Sequence, residues 1–503
     1  MAGEARGETQ AEQREGAAPP PPTDVLVQTS HTVTVGGRSI PYTVTAGTIV
    51  LREEAEKQGQ EQGVAEGEQA RATIFFVAYT RTDVGDLSGR PITFSFNGGP
   101  GSSSVWLHLG VLGPRRVAME RDPQQAPPPY RLVENEHTLL DETDLVFIDP
   151  VSTGYSRAVV GEKAKTFHSF SKDIESVGDF IRLYTSRYQR WSSPKFLIGE
   201  SYGTTRAGGL AGYLQDRHGM YLNGVMLVSS ILNFQTADFD PGNDLPYILF
   251  LPTYAATAWF HGRLEEEFQS DRAHLMRTVE EFALNEYTMA LMRGSALKPD
   301  EREWVAKALA RFTGLSVEYI QRSNLRIHIM RFTKELLREQ RRTVGRLDSR
   351  YTGGDRDAAG EFFEFDPSLA AITGPYTATL NQYVRADLGF ASDLPYEILT
   401  SKVRPWSYAN FENRYVDTSE TLRHAMSANP FLRVFVASGY YDLATPYFAT
   451  EYTFNHMHLE PDQEARVSKA YYDAGHMMYI HQPSLEQLKQ DLAAFVRAAL
   501  AGG

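Results

Sequence analysis

Seven residues, Leu-Ile-Gly-Glu-Ser-Tyr-Gly at 197–203, constrain this chain most. The apolar run Phe196 to Ile198 predicts a buried strand, and a helix-like segment begins at Thr204. Between them Gly199-Glu200-Ser201-Tyr202-Gly203 fits the pattern G-x-S-x-G. Strand, tight turn and helix are the context in which that pattern lifts a serine hydroxyl above the end of a sheet. Small residues on either side let the backbone turn sharply. A serine hydroxyl is a weak nucleophile until a base takes its proton, so Ser201 predicts a histidine partner elsewhere in the chain.

The rest of the chain predicts such a sheet. Short apolar runs bounded by Gly, Asn, Asp or Pro recur at Ile92–Phe96, Asp144–Asp149, Lys195–Ile198, Val225–Ser229, Arg433–Ser438 and Val467–Tyr472. Helical patterns such as Asp173–Tyr188 and Thr205–Gln215 lie between several of them. Alternating strands and helices predict a mainly parallel sheet with helices on both faces. Val25 to Phe96 alternates like an antiparallel meander, and the Glu-, Gln- and Gly-rich stretch Leu51–Ala72 within it is expected as a solvated hairpin loop. The last helix carries a capping box, Ser484 with Gln487, and an apolar face of Leu485, Leu488, Leu492 and Phe495.

Residues 233–406 break this rhythm with amphipathic helical stretches at Ser270–Met292, Asp300–Phe312 and Leu325–Glu339, and are expected as an inserted, mostly helical cap over the strand ends. The core then comprises 25–232 and 407–503, preceded by a disordered tail, 1–24. That tail is polar, ends in Pro19 to Pro22 and lacks the apolar centre of a signal peptide. The sequence leaves the compartment open: export, periplasmic or secreted, is expected if a leader has been removed, and the cytoplasm otherwise.

A net charge of −13 argues against nucleic acid, which needs a basic face, but leaves room for a locally basic cleft. With no cysteine, disulfides, thiolate metal sites and thiol nucleophiles are excluded. No stretch reaches the ~18 consecutive apolar residues of a membrane span. No metal or cofactor motif is found, so none is expected. A homodimer is expected only as the commonest assembly.

Two loop positions after Ser201 complete the chain order serine, acid, histidine found in α/β-hydrolases. Asp442 follows the strand Val434–Ala437 and the turn Ser438-Gly439, and His476 lies just past the last strand. Strand C-termini are where open α/β sheets place ligand-binding residues. His476 is expected to take the Ser201 proton and return it to the leaving group, with Asp442 orienting the ring. Asp473 is a rival acid, poorly placed because it is only three residues from His476. The glycine-rich stretch Asn97-Gly98-Gly99-Pro100-Gly101-Ser102-Ser103 can aim backbone N–H groups at a developing negative charge.

Taken together, Asn97–Ser103, Ile148–Arg157, Gly199–Gly203, Gly439–Asp442 with Pro446, and Ala474–His476 resemble the serine carboxypeptidase family of α/β-hydrolases. The absence of cysteine resembles its bacterial members. The resemblance implies an α/β-hydrolase fold and a catalytic triad of Ser201, Asp442 and His476. It also implies an oxyanion hole of the Gly99 and Tyr202 N–H groups. Asn97, the Gly98 N–H and Glu200 would grip the terminal carboxylate of a peptide substrate with a free C-terminus. A carboxylate grips another only when one carries a proton, so Glu200 is expected to act protonated. The family commonly has a second glutamate before Leu-Gly-Pro, where this chain has Val111 before Leu112-Gly113-Pro114. That departure predicts carboxylate binding that is weaker or tolerates higher pH. The aromatics Trp106, Tyr155 and Tyr202 either shape the pockets or pack the core. Acyl transfer, ester hydrolysis or a hydroxynitrile lyase reaction on the same triad, and a binding protein without catalysis, are the alternatives.

Overall fold

A computed structural model describes residues 21–56, 65–119 and 124–501. Ten strands form one sheet. They are β1 (Val25–Val35), β2 (Arg38–Glu56), β3 (Ala65–Arg81), β4 (Ile92–Phe96), β5 (Asp144–Ile148), β6 (Arg157–Ala158), β7 (Lys195–Ser201), β8 (Gly224–Ser230), β9 (Arg433–Gly439) and β10 (Val467–Tyr472). Their order is β1-β2-β3-β5-β4-β7-β8-β9-β10, with β6 paired to β3. The pairs β1/β2, β2/β3, β3/β5 and β3/β6 are antiparallel, and the run β5-β4-β7-β8-β9-β10 is parallel throughout.

The parallel strands read as continuous apolar runs because both faces are covered. Alternate residues feed separate cores: Phe196, Ile198, Met226, Val228, Phe435 and Ala437 belong to one, and Leu197, Val225, Leu227, Val434 and Val436 to the other. The first core is closed by helices Pro367–Ala386 and Gln482–Ala501, through Ile372, Tyr376, Leu488 and Leu492. The second is closed by Phe170–Arg187, Tyr202–His218 and Ser419–Ala428, through Val177, Phe180, Leu210, Leu214 and Leu422. The strand–helix alternation thus yields the α/β-hydrolase fold. Residues 233–406 contribute to two bodies. Helices Leu245–Phe260, Arg272–Phe282 and Pro299–Thr313 build a third core together with Tyr441, Leu443, Tyr447 and Phe448, whereas Pro367–Ala386 packs on the sheet. Among the described residues no helix is long and apolar enough to cross a membrane.

Three local expectations are corrected. Leu51–Ala72 is not a loop throughout, because Arg52, Glu53 and Glu54 pair with Ala70, Gln69 and Glu68 as β2 and β3 continue outward. Its charges decorate a long antiparallel arm, and only residues 57–64 lie outside the described set. The stretch Leu325–Glu339 is helical only over Ile329–Glu335. The last helix starts at Gln482, so Ser484 is not its cap; the Ser484 hydroxyl bonds His481 Nδ1 at 2.8 Å instead. Most of the expected tail, residues 1–20, also lies outside the described set.

Candidate active site

The strand β7 ends at Ser201, which has φ 61° and ψ −130°, and the next residue already begins a helix. That is backbone a side chain rarely tolerates, and such strain persists only where the surroundings enforce it. The turn is tight enough that a Cβ at Gly199 would lie 2.1 Å from the Gly203 carbonyl oxygen. The glycine-rich loop after β4 presses against the same turn: a Cβ at Gly98 would lie 2.4 Å from the Tyr202 nitrogen. As the first helical residue, Tyr202 has an N–H with no partner inside its own helix.

A buried ion pair, absent from the sequence expectations, fastens this junction from below. Arg206 Nε and Nη2 donate to Asp173 Oδ2 and Oδ1 at 2.8 and 3.1 Å, and Nη1 donates to the Asn97 carbonyl at 2.6 Å. The guanidinium also lies over the Phe96 and Tyr202 rings, 5.3 Å from each centroid. Arg206 thus ties helix Phe170–Arg187, the elbow helix and the glycine loop together. No local pattern marks it, because its partner is 33 residues away.

His476 and Asp442 come from the ends of neighbouring strands, β10 and β9. His476 Nδ1 lies 2.8 Å from Asp442 Oδ2. The acid is held by the Ala444 and Thr445 N–H groups on Oδ1 (2.8 and 3.0 Å) and by the Thr445 hydroxyl on Oδ2 (2.8 Å). The histidine backbone is pinned as well, its N–H donating to the Leu347 carbonyl at 2.6 Å and its carbonyl accepting the Ser229 hydroxyl at 2.6 Å. Burial alone pushes the imidazole pKa down. The charge and hydrogen bond of Asp442, aided by the Glu200 charge, outweigh it and raise the pKa above its ordinary value, while Arg346 pulls the other way. Asp473 is turned outward in an ion pair with Arg272 at 2.5 Å.

A cavity of about 690 Å³ opens over these groups, and Asn97, Gly98, Gly99, Glu200, Ser201 and His476 all line it. Asp442 is fully buried behind the imidazole. Trp106 also lines the cavity. Tyr155 instead packs against Phe75, Phe390 and Tyr396, and the Tyr202 ring against Trp406, so these two rings serve the core.

Glu200 is buried at the cavity floor. Its Oε1 accepts from Asn97 Nδ2 at 3.0 Å, and its Oε2 from the Tyr479 hydroxyl at 2.5 Å. Asn97 is oriented in turn because its Oδ1 accepts the Leu107 N–H at 3.1 Å. Burial pushes the Glu200 pKa up to about 7, against the pull of the nearby His476 and of the Tyr479 hydrogen bond. Val111 is buried in the turn His108–Leu112, and the second group on Glu200 is a phenol rather than another acid. Gly110, from the same turn, makes room for it: a Cβ there would lie 2.3 Å from the Tyr479 ring. Tyr479 was not among the expected residues. Its position three residues after His476 carries no motif.

The fold is that of the α/β-hydrolases. The model of the serine carboxypeptidase family matches residues 53–240, which include the glycine loop and the elbow but not Asp442 or His476. The pheromone-processing carboxypeptidase KEX1 of Saccharomyces cerevisiae is 32% identical over 165 residues, 31% of this chain and 20% of that protein. Serine carboxypeptidase-like 33 of Arabidopsis thaliana is 29% identical over 143 residues, 26% of each chain. The matches thus span only about a fifth to a quarter of these relatives' length. The crystal structure of the Saccharomyces cerevisiae KEX1 carboxypeptidase superposes over 90% of this chain and 92% of its own, with TM-score 0.54 and 15% identity, a likeness of fold. Over residues 53–240 the chain is thus similar to the serine carboxypeptidases.

Proposed function

We propose that the chain is a serine-type carboxypeptidase that releases C-terminal residues from peptides through an acyl-enzyme on Ser201. The observation that carries this reading is one cavity lined by Ser201, His476 and a buried glutamate whose pKa burial pushes up to about 7, with Asp442 bonded to the far side of the imidazole. Ser201 Oγ attacks the last peptide carbonyl while His476 takes its proton. The oxyanion is stabilised by the Gly99 and Tyr202 N–H groups, and losing one such donor typically costs about 3 kcal/mol in the transition state. His476 then protonates the departing amine, and water repeats the sequence to free the acyl group.

Glu200 makes this exopeptidase chemistry. Protonated, it donates a hydrogen bond to the substrate's terminal carboxylate, beside Asn97 and the Gly98 N–H. The productive state pairs a neutral His476 with a protonated Glu200. An imidazolium with an ionised Glu200 holds the same number of protons and is inactive, so the apparent pKa values of the rate profile belong to the pair. The test is mass spectrometry of peptides incubated with the wild type and with Ser201→Ala. A ladder shortened from the C-terminus, absent in the variant and absent for C-terminal amides, is the expected result. Equal hydrolysis of acid and amide would overturn it in favour of an esterase- or amidase-like enzyme.

A further inference from the structure

Two cations stand in the cavity wall without partners. Arg346 and Arg404 both line it. Neither guanidinium has an ion pair or hydrogen bond among the described residues. Neighbouring cations, by contrast, are paired. Lys402, two residues from Arg404, is paired with Glu397, and buried Arg350 is forked onto Asp348 at 2.9 and 2.6 Å. The two carboxylates that share the cavity wall are already occupied. Asp366 accepts the N–H groups of Arg346 and Leu347 at 3.2 Å each and that of Ser368 at 2.9 Å. Glu200 is taken by Asn97 and Tyr479.

From this pair of unpartnered guanidiniums beside Ser201 we infer that the cleft selects peptides bearing an acidic side chain, aspartate or glutamate, at the last or next-to-last residue. The inference rests on the carboxypeptidase reading and adds its substrate class. A guanidinium presents a planar fork that matches a carboxylate. Arg346 is half-buried, where a charge is screened less than at the open surface.

The test compares blocked dipeptides that differ only in charge: acyl-Phe-Glu against acyl-Phe-Gln, and acyl-Glu-Leu against acyl-Gln-Leu. Each is measured as kcat/KM on the wild type and as Kd on Ser201→Ala. One Glu/Gln pair is expected to differ by about tenfold, the effect shrinking as salt is raised. The pair that responds identifies the position. Arg346→Gln with Arg404→Gln should bring the ratio to about one, and the corresponding lysine variants should keep part of it. A Glu/Gln ratio at or below one in both pairs overturns the inference. Absent turnover with a preserved Kd ratio would count against the peptidase reading alone, since binding to Ser201→Ala needs no chemistry.

Discussion

The cavity has two kinds of wall. On the sheet side the acid and amide side chains are fixed by others: Asp442 by two amides and a hydroxyl, Glu200 by Asn97 and Tyr479, Asn97 by Leu107. On the side supplied by 346–404, two guanidiniums have no partner among the described residues, and Leu399 is half-exposed. Preorganised groups suit a transition state, whose charge appears at one place. Unpartnered groups suit recognition, because a ligand can still satisfy them. The comparison predicts that changes on the first wall alter chemistry or folding, and changes on the second alter preference.

The largest effect is expected at Ser201. Ser201→Ala should reduce kcat by about 10⁴-fold or more, while peptide affinity stays near the wild-type value. A residual rate within tenfold of wild type would remove the nucleophile from this reading. Next comes the foundation of the elbow. Asp173→Asn leaves the Arg206 charge buried and unpaired, so urea unfolding should show a loss of about 3–5 kcal/mol. Replacing both partners with apolar residues, Asp173→Leu with Arg206→Met, should cost less, which separates the stranded charge from lost packing.

Glu200 is expected to show a smaller, selective effect. Glu200→Ala should lower the preference for free-acid over amide peptides by about ten- to a hundredfold, the worth of one charge-assisted hydrogen bond. With the wild type, kcat/KM for free-acid peptides should fall as pH rises through about 7. That limb should vanish in Glu200→Gln. Tyr479→Phe sharpens the point. The phenol stabilises the ionised carboxylate and holds the Glu200 pKa down. Its loss should move the alkaline limb to higher pH while KM for free acids changes little at pH 6. An unmoved limb would show that Tyr479 only fills space.

Much of the catalytic wall is visible in the sequence because its signals are local. The elbow is five consecutive residues, and the glycine loop sits directly after a strand. Asp442 and His476 each follow an apolar run, and so lie at the sheet's C-terminal edge. Tyr479 and Arg206 are invisible for the opposite reason: each acts across the fold, on residues 279 and 33 positions away. The long arm of β2 and β3 reads as a loop in the sequence because charges mark exposure, and a strand exposed on its outer reach is as charged as a loop. Pro367–Ala386 was assigned to the cap by its place in the chain, yet its apolar face, with Ile372, Tyr376 and Leu380, meets the sheet. Chain position does not encode which core a face will join.

The smallest expected effect tests whether the two walls are coupled. Arg346 belongs to the recognition side, yet its charge acts on His476 and pulls the imidazole pKa down. Catalysis needs the neutral ring, so activity is lost as pH falls through that pKa. Removing the cation in Arg346→Gln raises it, because the imidazolium no longer faces a like charge. The acid limb of kcat for a neutral peptide should therefore move to higher pH, while Arg346→Lys, which keeps the charge, should leave it nearly in place. High salt should move the wild-type limb the same way as Arg346→Gln, because Arg346 is only half-buried. An acid limb unchanged in Arg346→Gln would mean the selecting wall is electrostatically separate from the chemistry. A bound acidic side chain would then act through affinity alone.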